Sequence, residues 1–322
     1  MAYRLNTGEA VACGLRRIVL EELRSAADRL HKSNSRTRDE AIHEARKSIK
    51  KTRAVLRLVS PGLEGVYQSE NRRLRDIGQG LSPYRDTVAM IEIFDQFREK
   101  HAGRVGAPAL ESIRRGLLQE KRAQALGSGI VTAVRQAGAA LTAAARRAEK
   151  WPLSGDGFEL LVPGLEKGYR RGRKTMHAAR THMAAQYSHD WRKRLKDHWY
   201  HIRLLEDLWN TAMADYEKSL KHLETLLGDH HNLEVLCRKL DANVRCGGPA
   251  EDTRRCLTGM RKYQRGLRRD ALSLGKLVFA DSPREFMERL EQLWSAWQAR
   301  SRRAATRKAA GQVRPARQLA SA

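Results

Sequence analysis

The chain has 322 residues, of which 62 are Lys or Arg and 37 are Asp or Glu, giving a formal charge of +25. That length supports a large buried core and excludes a small stapled scaffold. A positive surplus of this size repels itself unless an anionic partner offsets it, whether nucleic acid, a membrane surface or a phosphate polymer. Cys13, Cys237, Cys246 and Cys256 form no CxxC pair and no framework spacing, so neither a disulfide nor a zinc site is expected and a reducing cytoplasm fits. No signal-peptide core stands between Met1 and Arg17, and nowhere do about 18 apolar residues run together, so neither an export signal nor a membrane span is expected.

Ala, Leu, Arg, Glu and Lys dominate, proline is rare, and no stretch alternates β-branched residues, so the periodicity predicts an all-α protein. In chain order the first helix covers 8–31. The next, 38–59, opens at a capping-box pattern of Thr37 with Glu40 and stops at Pro61-Gly62. Helices over 64–80 and 83–102 are divided by Ser82-Pro83, a cap residue before a first-turn proline. After 108–124 and 129–150 comes a break rich in Pro and Gly, Trp151 to Gly157, which predicts a linker over 151–160 between a first half, 1–150, and a second, 161–299. The second half holds helices at 161–185, 189–209, 211–227, 230–245, 250–275 and 284–299, the last opened by Ser282-Pro283. Residues 300–322 carry seven Arg or Lys and no acid; with few large apolar side chains they predict a disordered basic tail.

Sliding the sequence by 146 positions lays His43-Glu44-Ala45-Arg46-Lys47 over His189-Asp190-Trp191-Arg192-Lys193. Lys50 then falls over Lys196, Arg57 over Arg203, Leu74 over Leu220, Leu81 over Leu227 and Asp86 over Asn232. One gapless offset over more than forty residues predicts two copies of a helical unit related by a pseudo-two-fold axis, hence two pseudo-symmetric bundles.

Within each copy, helical geometry gathers cations. His43, Arg46, Lys50, Arg53 and Arg57 lie within an arc of roughly 80° at about 100° per residue, while Ala45, Ile49, Thr52, Leu56 and Val59 form a separate face that packs inward. His189, Arg192, Lys196 and Arg203 repeat the ridge; Trp191, Leu195, Ile202 and Leu205 repeat the packing face. An ordinary solvated helix face mixes signs. These ridges instead stack like charges three and four residues apart, at a cost of some tenths of a kcal/mol per pair, which points to a site completed by an anion. Arg offers a planar fork, Lys a mobile point charge and His a titrating donor, all suited to phosphate oxygens. Aromatic or amide groups that read bases are scarce, with Trp199 and Tyr200 the exceptions, and helix packing accounts for these equally well.

The segments HEARKSIKKTRAVLRL at His43 to Leu58 and HDWRKRLKDHWYHIRLL at His189 to Leu205 resemble the two signature helices of the CHAD family, the conserved histidine α-helical domain. Leu81-Ser82-Pro83-Tyr84-Arg85-Asp86 resembles the family's turn into the next helix, with a counterpart at Leu227-Gly228-Asp229-His230-His231-Asn232. Tyr169-Arg170-Arg171-Gly172-Arg173 resembles the basic segment opening the family's second half. The resemblance spans about residues 8–298 and implies a basic central pore or surface, binding of inorganic polyphosphate, and a place at polyphosphate granules in the cytoplasm. The site set combines the ridges with the positions carried over: His43, Arg46, Lys47, Lys50, Arg53, Arg57, Arg85, Arg170, Arg173, His189, Arg192, Lys193, Lys196 and Arg203. Trp199 and Asp197 depart from the family's basic pattern, which implies a weaker second ridge.

Other chemistry is less well supported by the sequence. His198 with His201, and Asp229-His230-His231, lack the paired ligand sets of metal sites, so no metal and no cofactor is expected. There is no GxxxxGK[ST] loop, no ExExK motif of the triphosphate tunnel enzymes to which CHAD domains are often fused, and no nucleophile beside a base, so a non-enzymatic binding module is expected. A nucleic-acid-binding protein, or a scaffold docking an acidic protein, remains the alternative that the net charge equally supports.

Overall fold

The computed structural model describes residues 3–101, 107–206, 211–245 and 250–312, and every regular element among them is a helix. In chain order these are α1 Val11–His31, α2 Arg38–Leu58, α3 Tyr67–Gly80, α4 Ser82–His101, α5 Ala107–Leu126, α6 Ser128–Ala148, α7 Val162–Thr181, α8 Ala185–Leu204, α9 Thr211–Arg245, α10 Ala250–Val278 and α11 Pro283–Gln312. None of the described helices is long and apolar enough to cross a membrane.

The inward faces follow the expected period. Ala45, Ile49, Thr52, Leu56 and Val59 are at most 2% exposed, as are Trp191, Leu195, Ile202 and Leu205. All of these but Thr52 join one apolar cluster built mainly from α1, α2, α6, α7, α8, the start of α9 and α11, with Leu74 of α3 and Ala271 and Val278 of α10. A smaller cluster is made by α4, α5, the second part of α9 and α10, and Leu226 packs against both. Each core draws on both halves of the chain. Cys237 and Cys256 are buried free thiols in the smaller core, and Cys13 is exposed; Cys246 lies outside the described residues.

Several helix ends differ from the sequence expectation. Pro83 lacks an N–H and separates α3 from α4, but no proline stands at Leu227-Gly228-Asp229, so 211–227 and 230–245 are one helix; a lone glycine costs about 1 kcal/mol, which packing on α8 and α10 absorbs. Thr37 makes no side-chain cap. Its hydroxyl accepts the Asn34 N–H, and Asn34 Oδ1 accepts the N–H groups of Arg36 and Thr37, so a side-chain turn sets the start of α2. At Ser282 the reciprocal box does form: Glu285 N–H donates to Ser282 Oγ at 3.2 Å and Ser282 N–H to Glu285 Oε2 at 2.7 Å. The basic tail is helical as far as Gln312, because Ala and Arg are strong helix formers that extend an existing helix at low cost; residues 313–322 lie outside the described residues.

The linker packs as part of the core. Trp151, Leu153 and Phe158 are buried, Phe158 stacks on Trp294 with centroids 5.1 Å apart, and the carbonyls of Asp156 and Gly155 accept the first N–H groups of α1 from Val11 and Ala12. Gly164 of α7 lies directly against the Leu58 backbone at the end of α2. Gly164→Ala should therefore force α7 off α2 and destabilise the protein by about 1–3 kcal/mol or more, read as a lower midpoint in urea. Gly266→Ala, where an added methyl meets nothing within 4 Å, should have no such effect.

Candidate functional site

Helices α2 and α8 pack against each other, with α3 and α4 flanking the first and α9 the second. Because their apolar faces point into the core, their basic ridges are pressed together in the remaining cleft. Lys50 feels Lys196, Arg46 and Arg192 as its nearest like charges, and Arg46 likewise feels Arg192. The ridges thus form one partly buried cluster in place of two exposed stripes: the side chains of Arg46, Arg192 and Lys196 are 15%, 22% and 19% exposed.

Each arginine is fixed by the helix beside it. Arg46 Nη1 donates to the Gly78 carbonyl and to Ser82 Oγ, with Asp86 at 4.0 Å. Arg192 Nη2 lies 3.6 Å from Glu224, to which Lys196 Nζ donates at 2.5 Å. The Nε atoms of both arginines are buried without a hydrogen-bond partner. Lys50 makes neither an ion pair nor a hydrogen bond with any described residue, and burial, reinforced by Lys196 and Arg46, holds its ammonium well below the usual lysine range. Burial lowers Lys196 too, with Glu224 opposing. Lys196, Arg192 and Lys50 thus share the Glu224 carboxylate, while Arg46 has Asp86 beside it.

The arrangement around the cluster recurs at the 146-residue offset. Arg46 rests on Gly78 and Ser82; Arg192 lies beside Glu224 and Gly228. Arg53 Nε donates to Asn71 at 3.0 Å and Trp199 Nε1 to Glu217 at 2.7 Å. At the outer end, Arg85 Nε donates to His43 Nδ1 at 2.9 Å, while the rings of His189 and His231 lie 4.5 Å apart. Burial, then Arg85 for His43 and Lys193 for His189, holds both imidazoles below their usual pKa. His231 is pushed down to about 3 by burial and Arg192.

The remaining site candidates divide into three groups. Arg53 is half-buried, and desolvation with Arg57 lowers it to about 10; Arg57 pairs with Asp197 at 2.9 Å, and Arg203 lies over the rings of Tyr3 and Trp199, so these three line the inner end, already engaged. Lys47 and Lys193 bond to Glu44 and Asp190 of their own helices, at 2.9 and 2.5 Å. Arg170 is exposed and pairs with Glu166, and Arg173 acts on Tyr169 and Glu285; neither is brought to the α2–α8 cleft. Of the histidines considered as metal ligands, His198 and His201 face the core, where His198 Nε2 meets the Tyr216 hydroxyl at 2.8 Å and His201 Nε2 the Ala54 carbonyl at 2.9 Å, His230 is buried, and His231 lies against His189. Trp199 and Tyr200 are likewise packing residues, the latter 2% exposed. Neither Glu224 nor Gly78 stands out as a site residue in the sequence, although the same offset places these two over each other.

The chain belongs to the CHAD domain family, whose model matches residues 19–241. The crystal structure of the CHAD domain from the plant Ricinus communis is similar in fold, with a TM-score of 0.59 over 88% of this chain and 96% of that one, at 17% sequence identity. No curated protein matches the chain.

Lys50→Met removes an unpaired charge from a half-buried position and should raise the melting temperature, as differential scanning calorimetry would show. His198, His230 and His231 stay neutral when folded, being pushed down to about 3, 4 and 3 by burial, but take up protons when unfolded below about pH 6.5. The unfolded state then binds more protons, so stability should fall as pH drops from 7 to 5, by up to about 1.4 kcal/mol per pH unit for each histidine. Urea denaturation at the two pH values checks this, and His198→Gln should flatten the slope.

Proposed function

We propose that the cleft between α2 and α8 binds inorganic polyphosphate, and that the protein is a binding module acting at polyphosphate granules, with no catalysis of its own. The observation that carries this is the half-buried set Arg46, Lys50, Arg192 and Lys196, in which Lys50 has no ion pair with a described residue and two guanidinium Nε–H groups have no acceptor. A phosphate chain supplies both missing items, negative charge and acceptor oxygens, at every repeat unit. Its lack of bases lets it enter a cleft whose nearby aromatic groups are taken up in packing, with Trp199 tied to Glu217 and Tyr200 buried. Under this reading the two halves form a pseudo-symmetric basic pore, with the facing pairs Arg46/Arg192 and Lys50/Lys196 gripping one strand from opposite sides. The outer histidines His43 and His189, held below their usual pKa by burial and by Arg85 and Lys193, gain protons as phosphate offsets those cations, so binding strengthens as pH falls from 8 to 6. The enzyme-free reading is supported by the residues facing the cleft, which are cations with one engaged carboxylate and include no nucleophile beside a base.

Competition between long-chain polyphosphate and RNA of matched charge for the purified protein tests the reading. Polyphosphate should win at physiological salt, and its affinity should fall with salt at a log-log slope of about 0.7 per phosphate bound, by analogy with single-stranded nucleic acid. Equal affinities would favour general polyanion or nucleic-acid binding, and preference for an acidic protein would favour a scaffold. The fourfold variant Arg46→Gln, Lys50→Gln, Arg192→Gln, Lys196→Gln keeps helix propensity and apolar stems. At about 1 kcal/mol or more per charge-assisted hydrogen bond it should bind at least roughly a hundredfold more weakly, with circular dichroism unchanged.

A further inference from the structure

The cation cluster is unequal in its two halves. In the second half the Glu224 carboxylate reaches in from α9 and bonds Lys196 at 2.5 Å, with Arg192 at 3.6 Å. Its side chain is only 15% exposed. At the corresponding place in the first half stands Gly78, which has no side chain to offer, and Arg46 takes its backbone carbonyl instead. Burial alone would raise the Glu224 pKa, but Lys196, Arg192 and Lys50 outweigh it and keep the carboxyl below its usual range, so it is ionised at neutral pH. A carboxylate among a guanidinium and two ammonium groups offers them the negative charge and acceptor oxygen that a phosphate would.

We infer that Glu224 is a built-in competitor for the anion site, occupying in the empty protein the place of a phosphate group beside Lys196 and Arg192. The inference rests on the proposed polyanion site and adds a regulatory residue to it. A phosphate approaching this half must either break the Lys196–Glu224 pair or lie beside a carboxylate of like charge, and both weaken binding. In the first half the nearest carboxylate, Asp86, stands 4.0 Å from Arg46 and is 58% exposed, and Lys50 has no ion pair with a described residue and feels Glu224 only as the weakest of its charged neighbours. The incoming chain therefore engages Arg46 and Lys50 first, and the second half joins as Glu224 yields. The same carboxylate screens Lys196, Arg192 and Lys50 from one another, so the site trades affinity for stability.

The tests are paired substitutions. Glu224→Gln keeps size and hydrogen bonding but removes the competing charge; it should bind long-chain polyphosphate roughly tenfold or more tightly than the wild type, with a salt slope steeper by about 0.7 for each further phosphate that the freed cations neutralise. Its melting temperature should fall in chloride and recover when sulfate replaces chloride, a response the wild type should show only weakly. Gly78→Glu places a second carboxylate opposite; an added Cβ there meets only Ile49 Cγ2, at 3.5 Å, so the fold should accept it and affinity should fall roughly tenfold or more. Glu217→Gln, on the same helix but bonded to Trp199, should leave affinity unchanged. Unchanged or weaker binding by Glu224→Gln, or unchanged binding by Gly78→Glu, overturns the inference. If the wild type fails to bind polyphosphate while sulfate still rescues Glu224→Gln selectively, the competitor role stands and the polyphosphate reading falls; if rescue is also absent, both fall.

Discussion

Two basic helix faces held side by side against their own repulsion define this molecule. Like charges a few ångströms apart in a partly buried cleft repel by on the order of a few kcal/mol per pair, and neither Arg46 and Arg192 nor Lys50 and Lys196 would choose each other's company. They meet because Ala45, Ile49 and Leu56 on one helix and Trp191, Leu195 and Ile202 on the other are fully withdrawn from water on the opposite side. Large apolar side chains contribute about 1.5–3 kcal/mol each when fully buried, enough in sum to override the repulsion. The same packing denies the cations room to retreat. Gly164 fits α7 against the end of α2, and His201 ties α8 to the Ala54 carbonyl in the middle of α2.

The surrounding helices show how the fold manages this charge. Wherever a cation of the ridges lies away from the centre it has found a partner: Arg57 with Asp197, Lys47 with Glu44, Lys193 with Asp190, Arg203 over Tyr3 and Trp199. At the centre compensation is incomplete: Lys50 has no ion pair or hydrogen bond with a described residue, and the Nε atoms of Arg46 and Arg192 are buried without a hydrogen-bond partner. Buried polar groups in folded proteins are almost always paired, so this concentration of like charges with unpaired donors is the observation on which the proposed anion site rests. Glu224 supplies a partial answer from within the chain, in one half only.

Much of this was legible from residues alone because it depends on period and composition. The 3.6-residue repeat of Ala45, Ile49, Thr52, Leu56 and Val59 names the buried face of α2 without knowledge of what it touches, and the charged residues left over define the ridge. The 146-residue offset pairs His43 with His189 and Lys50 with Lys196 from spacing alone. Helix ends were less legible: Thr37 and Glu40 carry a cap pattern that the chain does not use, because Asn34 offers the local backbone a competing set of hydrogen bonds. The Leu227-Gly228-Asp229 stretch reads as a break, yet packing on both sides keeps α9 continuous.

The sequence by itself determined that the chain is all-helical, that it carries a large positive surplus, and which face of each signature helix is polar, since all three follow from local spacing and composition. Tertiary structure alone decided that the two ridges close on each other, that Arg170 and Arg173 lie elsewhere, and that Glu224 enters the cluster while Gly78 does not. These depend on which helices become neighbours, a matter of how apolar faces pack across distances of more than a hundred residues, and no local periodicity encodes the distance between two side chains on different helices.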